Sequence, residues 1–138
     1  MRRFQNGSAV IEGLTAITVF SLGILGLIGL QANVLEHNAQ AQFRAEASYL
    51  AEEIIGLATA DALNADCYTV PADGACANAL AELAAEEWAE RVQSSLPGAD
   101  AVAPTVTREL DGTFTVTILW QRPNEDMQHN YVSVTNIQ

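Results

Sequence analysis

GSAVIEGLTAITVFSLGILGLIGLQ, residues 7–31, decides how the rest of the chain is read. Between Ala9 and Leu30 a single side chain, Glu12, is charged. A bilayer span needs about 20 apolar residues in a helix, so this stretch has both the length and the composition of one. Gly13, Gly23, Gly26 and Gly29 lie within it. Small residues let membrane helices approach closely, and glycine is also simply common in such helices. Arg2 and Arg3 precede the run, and no basic residue follows until Arg44. The positive-inside bias then predicts a cytoplasmic N-terminus, with the chain after residue 30 across the membrane.

Three readings of this segment compete. A cleaved secretory signal has a basic start, but its apolar core is usually about 7–15 residues, shorter than this one. A small-residue site at Ala39-Gln40-Ala41 lies well past the apolar end. A plain single-span anchor accommodates Glu12 at the headgroup level but leaves the Gly7-Ser8 junction unexplained. The third reading treats Gly7, Ser8 and Glu12 as one motif, with Glu12 as the fifth residue counted from Ser8.

Beyond Leu30 the chain turns polar without losing helical character. Residues 31–60 contain no Pro, and Gly56 is their only Gly. Leu35, Phe43, Ala47, Leu50, Ile54 and Leu57 recur at mostly helical spacing, while Glu36, Arg44, Glu46, Glu52 and Glu53 fall largely elsewhere. One helix from about residue 9 to 61 is predicted, its second half amphipathic. Asn64, Asp66, Pro71, Asp73 and Gly74 mark residues 61–75 as a loop. A second helix is predicted over Ala77–Ser95, with Leu80, Leu83, Ala84, Trp88 and Val92 on its apolar face. Glu82, Glu86, Glu87 and Glu90 form its solvated face, and Leu96-Pro97-Gly98 ends it.

The C-terminal part reads as β-structure. Strands over Thr105–Leu110 and Thr113–Gln121 flank Asp111-Gly112, a two-residue hairpin signal. Phe114, Val116, Ile118 and Trp120 alternate with threonines, so one face is core and the other meets water. After a polar loop at 122–130, Tyr131–Ile137 gives a third strand with Val132 and Val134 facing one way. Trp88 and Trp120 are read as core residues. The predicted class is α+β, a long helix packed on a small head with a second helix and about three antiparallel strands.

Of 138 residues, 17 are acidic and 6 basic, all six of them Arg, for a formal net charge of −11. No basic stripe exists to neutralise phosphates, so nucleic-acid binding by this chain alone is not expected. No Ser-His-Asp or Cys-His spacing and no phosphate-binding Gly loop occurs, so neither catalysis nor a cofactor or small-molecule substrate is expected. Across the membrane from the N-terminus, in an oxidising compartment, Cys67 and Cys76 are expected to form a disulfide. A metal pair is the rival reading, and it would have to draw on His37 and His129, both far off in sequence and both read as surface residues.

Gly7-Ser8-Ala9-Val10-Ile11-Glu12, set between an Arg-bearing leader and a long apolar helix, resembles the class III signal of type IV pilins and pseudopilins. Ser8 stands where that family most often has Phe. The resemblance implies cleavage between Gly7 and Ser8 by the prepilin peptidase, which also methylates the new N-terminus, here Ser8. It divides the chain into a cytoplasmic leader (1–7), a long helix (8–61, membrane part about 9–30) and a pilin head (62–138). It also gives Glu12 an assembly role, meeting the N-terminal amine of a neighbouring subunit. Trp88, Leu96-Pro97-Gly98 and the strand from Val116 to Trp120 resemble PilV-type minor pilins. The implied partners are other minor pilins, the major pilin and the inner membrane, and the implied place is that membrane and then the pilus, at its tip in some members. An I-type minor pseudopilin of a type II secretion system has the same parts. A membrane-tethered periplasmic binding module remains the reading from a different class.

Overall fold

The computed structural model describes residues 5–72, 74, 76–123 and 125–137. Arg2, Arg3, Asp73 and the side chain of Glu36, on which parts of the reading above rest, lie outside the described residues. The elements are helix α1 (Gln5–Ala60), a 3₁₀ segment (Ala62–Tyr68), helix α2 (Ala79–Ser95) and strands β1 (Thr105–Arg108), β2 (Thr113–Trp120) and β3 (His129–Asn136). The chain is α+β. It divides into two compact units, Met1–Ala41 and Gln42–Gln138, so the second unit takes in the last part of α1 and does not begin after it.

α1 contains no Pro in its 56 residues and begins earlier than Ala9, taking in the residues just before the Gly7–Ser8 bond. Within the second unit it buries Ala47, Leu50, Ala51, Ile54 and Ala58, a stripe at steps of three and four residues. Phe43 and Leu57 are half-buried against this stripe, whereas Leu35, expected on it, is exposed in the first unit. The helix stops at Ala60, and Asp61 N–H still donates to Leu57 O (3.1 Å) before the chain departs from helical dihedrals. The expected loop is partly regular, since a 3₁₀ segment buries Ala65, Cys67 and Tyr68. Cys67 and Cys76 are disulfide-bonded with their Cα atoms 4.6 Å apart. Closing so short a loop contributes about 2–3 kcal/mol by restricting the unfolded chain.

α2 starts two residues later than expected because Asn78 caps it, its side chain accepting from Leu80 N–H at 3.2 Å. Its buried face is Ala81, Ala85, Trp88, Ala89 and Val92. Trp88 and Val92 are buried as expected, but the rest of the expected face is corrected, because Leu80 is 80% exposed and Leu83 49% exposed. Three of the five buried residues are alanines, whose small side chains allow α2 to sit close, while Trp88 Nε1 donates to Leu50 O of α1 at 2.7 Å. Arg91 and Glu53 add an exposed ion pair (2.6 Å) between the same helices.

The sheet has the order β1-β2-β3, antiparallel throughout. Phe114, Val116, Ile118 and Trp120 are buried as expected. β1 is shorter than expected and the turn is of a different kind. Glu109 N–H donates to Thr113 O (2.8 Å) and Gly112 N–H to Glu109 O (3.0 Å), so Leu110, Asp111 and Gly112 make a three-residue loop. Gly112, at φ 85°, supplies its left-handed position, and Asp111 accepts from Thr113 N–H at 2.8 Å. β3 begins two residues early, at His129, and turns Tyr131 inward to α1, where Ser48 donates to its hydroxyl (3.1 Å). Val132 and Val134 are on the opposite, outer face.

Candidate functional site

The 22 residues from Ala9 to Leu30 extend about 33 Å as helix, against a hydrocarbon layer of about 30 Å. Their side chains are exposed around the whole circumference, with none buried inside the protein. α1 is therefore long and apolar enough to cross a membrane. Polar groups in such a span must be satisfied locally, because lipid offers no hydrogen bonds. The hydroxyls meet this demand within the helix. Thr15 donates to Ile11 O (2.8 Å), Thr18 to Leu14 O (2.8 Å) and Ser21 to Ile17 O (2.7 Å). Gly13, Gly23, Gly26 and Gly29 leave open space where side chains would stand.

Glu12 is the exception to local satisfaction. Its carboxylate is exposed and makes no hydrogen bond or ion pair among the described residues. Gly7 and Ser8 lie in the first turns of α1, and Ser8 is one helical turn before Glu12, so their side chains share a face. The carboxylate is thus an exposed charge at one end of an apolar surface.

In the second unit, the polar stretch 122–130 is more ordered than its composition suggested. Glu125 receives Arg122 Nε at 2.8 Å and Arg122 Nη2 at 2.9 Å, and His129 Nε2 lies 3.1 Å from its Oε2. Gln121 Nε2 donates to Glu125 O at 2.6 Å. The His129 ring stacks on Trp120 with centroids 5.7 Å apart. His129 is therefore half-buried, which corrects the surface reading, while His37 is exposed as expected. Arg122 first, and then His129, hold the Glu125 carboxyl at about 2, below its ordinary 4.5. A carboxyl more acidic in the folded state contributes stability above its unfolded value and loses it as pH falls through its folded one. Thermal unfolding of the full chain in detergent, followed by near-ultraviolet circular dichroism, should lose midpoint temperature between pH 4.5 and about 2. Glu125→Gln should flatten that decline, and equal slopes for the two proteins would refute the contribution of the Glu125 contacts to stability.

Two shallow clefts flank the disulfide loop. One, of about 320 Å³, is lined by Thr69, Val70, Pro71, Glu82, Glu86 and Glu90, and the other, of about 290 Å³, includes Arg108. Arg108 is engaged with Asp66 (2.7 Å) and the Ile137 carbonyl (3.4 Å). Among the described residues no group of three or more His, Cys, Asp or Glu is placed to hold a metal ion. Both cysteines are consumed by the disulfide.

Two of the stretches quoted for the resemblance, Leu96-Pro97-Gly98 and the strand ending at Trp120, meet in space. Leu96 is buried, and Pro97 O accepts the N–H of Gln121, the residue directly after Trp120. The fold so defined, one long N-terminal helix, a second helix and a three-stranded antiparallel sheet, is consistent with a pilin-like class. No family model matches the chain, and no curated protein or solved structure matches it.

Proposed function

We propose that the chain is a minor pilin of the PilV type, a single-pass inner-membrane subunit with its head in the periplasm that helps prime or cap type IV pilus assembly. The observation that carries this reading is the unpartnered Glu12 one turn after Ser8, at the start of an otherwise self-satisfied apolar helix. Cleavage of the Gly7–Ser8 bond creates an α-amino group, and a carboxylate and an ammonium brought together where water is scarce attract more strongly than in solution. A charge in the apolar layer costs up to about 2.5–3.5 kcal/mol at mid-membrane and less near an interface, so pairing relieves a real penalty. The disulfide fits a head outside the cytoplasm, where thiols oxidise.

Intact-mass measurement on the protein from its native membrane tests processing, with loss of residues 1–7 expected. Glu12→Ala should insert into the membrane and be cleaved normally, yet fail to enter filaments. An uncut N-terminus, or wild-type incorporation of Glu12→Ala, would overturn the proposal. Co-purification with secretion-system subunits in place of minor pilins would reassign the chain to the pseudopilins.

A further inference from the structure

The sheet has two edges, and they are treated differently. β1 is four residues long and is covered from outside by Val70, whose N–H donates to Val106 O (3.0 Å) and whose carbonyl accepts from Val106 N–H (2.8 Å). β3 is eight residues long, and among the described residues nothing pairs with its outer side. Ile137 N–H donates to Gly112 O (2.9 Å), so position 137 faces the β2 side. Backbone direction alternates along an antiparallel strand. Tyr131, Ser133 and Thr135 therefore also face β2, and Asn130, Val132, Val134 and Asn136 turn their N–H and C=O groups to the open edge. Natural edges are usually blunted by charge, Pro or a bulge. The β3 sequence HNYVSVTN has no Lys, Arg, Asp, Glu or Pro, and its register with β2 runs without interruption.

Such an edge is satisfied by another extended strand. The residues at the edge say which one. They are symmetric about Ser133, with Val132 and Asn130 on one side matched by Val134 and Asn136 on the other. An antiparallel partner related by a two-fold axis at Ser133 sets Val132 against Val134 of the second copy and Asn130 against Asn136 of the second copy. A two-fold contact must use one self-complementary patch, which this sequence supplies. Charge favours the same occupant. None of the 17 acids lies on a strand, so two copies of a chain with net charge −11 can meet here without carboxylates opposed across the seam. Val132 and Val134, 49% and 61% exposed, would gain apolar neighbours on the outer face.

We infer that β3 is a self-pairing edge through which two copies join their sheets into one six-stranded antiparallel sheet, independently of any role in pilus assembly. The full chain in detergent is expected to be a dimer by native mass spectrometry and sedimentation velocity. Val134→Lys should raise its dissociation constant about tenfold or more. Val134→Pro should do the same while sparing the β2 ladder, because the N–H at 134 points outward. Thr107→Lys, on the outer face of β1, should leave the constant unchanged within about twofold. Near-ultraviolet circular dichroism checks that each variant keeps its fold. A photo-crosslinking side chain at 132 should capture residue 134 of a second copy. A wild type that stays monomeric at about 50 µM, or a dimer indifferent to both Val134 variants, overturns the inference. Capture of only a different protein at position 132 overturns it too.

Discussion

Trp88→Ala is expected to destabilise the protein by about 3–5 kcal/mol, the range for deleting a fully buried Trp. Trp88 is 0% exposed, and α2 presents only one other large buried side chain, Val92. The alanines at 81, 85 and 89 bring α2 close to its neighbours but bury little area themselves, so most of the apolar stabilisation of its docking passes through one indole. That indole also donates to Leu50 O, tying α2 to α1. Trp88→Phe keeps most of the volume and removes the donor, leaving no unsatisfied group on α2. It should cost about 1–2 kcal/mol, the scale of one buried hydrogen bond with slight repacking. Urea unfolding of the full chain in detergent, followed by circular dichroism, measures both. A loss below about 1 kcal/mol for the Ala variant would mean that α2 is held by other contacts.

What the sequence made legible follows from the physics each pattern reports. The apolar stretch after Gly7 and the strand TFTVTILW are periodic or uniform over many residues, and both elements lie where that periodicity put them. α2 was legible as a helix, and Trp88 and Val92 as part of its buried face, but the rest of that face was not. Periodicity weights Leu80 and Leu83 above Ala81 and Ala85, whereas the face that α2 buries is made of alanines beside Trp88 and Val92. Asp111-Gly112 announced a hairpin, but the choice between two and three loop residues rests on where Glu109 pairs, which no dipeptide encodes. Arg122, Glu125 and His129 stand three and four residues apart but in a polar stretch outside any helix, so composition left them as a polar loop and a surface histidine. At the candidate site, the spacing from Ser8 to Glu12 was legible, and the partner of Glu12 was not, because the group proposed for it does not belong to the uncleaved chain.

Gly98→Ala is the second large effect, about 2–4 kcal/mol, and it probes the junction between Leu96-Pro97-Gly98 and the end of β2. Two separate costs act there. Gly98 has φ 67°, a left-handed conformation that costs an L-residue roughly 1–2 kcal/mol. A Cβ at 98 would also stand 2.7 Å from Gln121 O and 3.3 Å from Gln121 Cβ. The closer atom is backbone, so relief requires β2 and the turn to separate, at the 1–3 kcal/mol typical of overpacking. That separation strains the Gln121 N–H bond to Pro97 O (2.9 Å) and the burial of Leu96 and Trp120 on either side. Gly98→Asn divides the two terms. Asn tolerates left-handed dihedrals better than Ala but carries the same Cβ. If contact dominates, Asn and Ala variants should lose similar stability by urea unfolding. If conformation dominates, Asn should recover most of the loss. A near-neutral Gly98→Ala would show that the turn and the strand end are not in register as described, and the spatial meeting of the two motifs would fall with it.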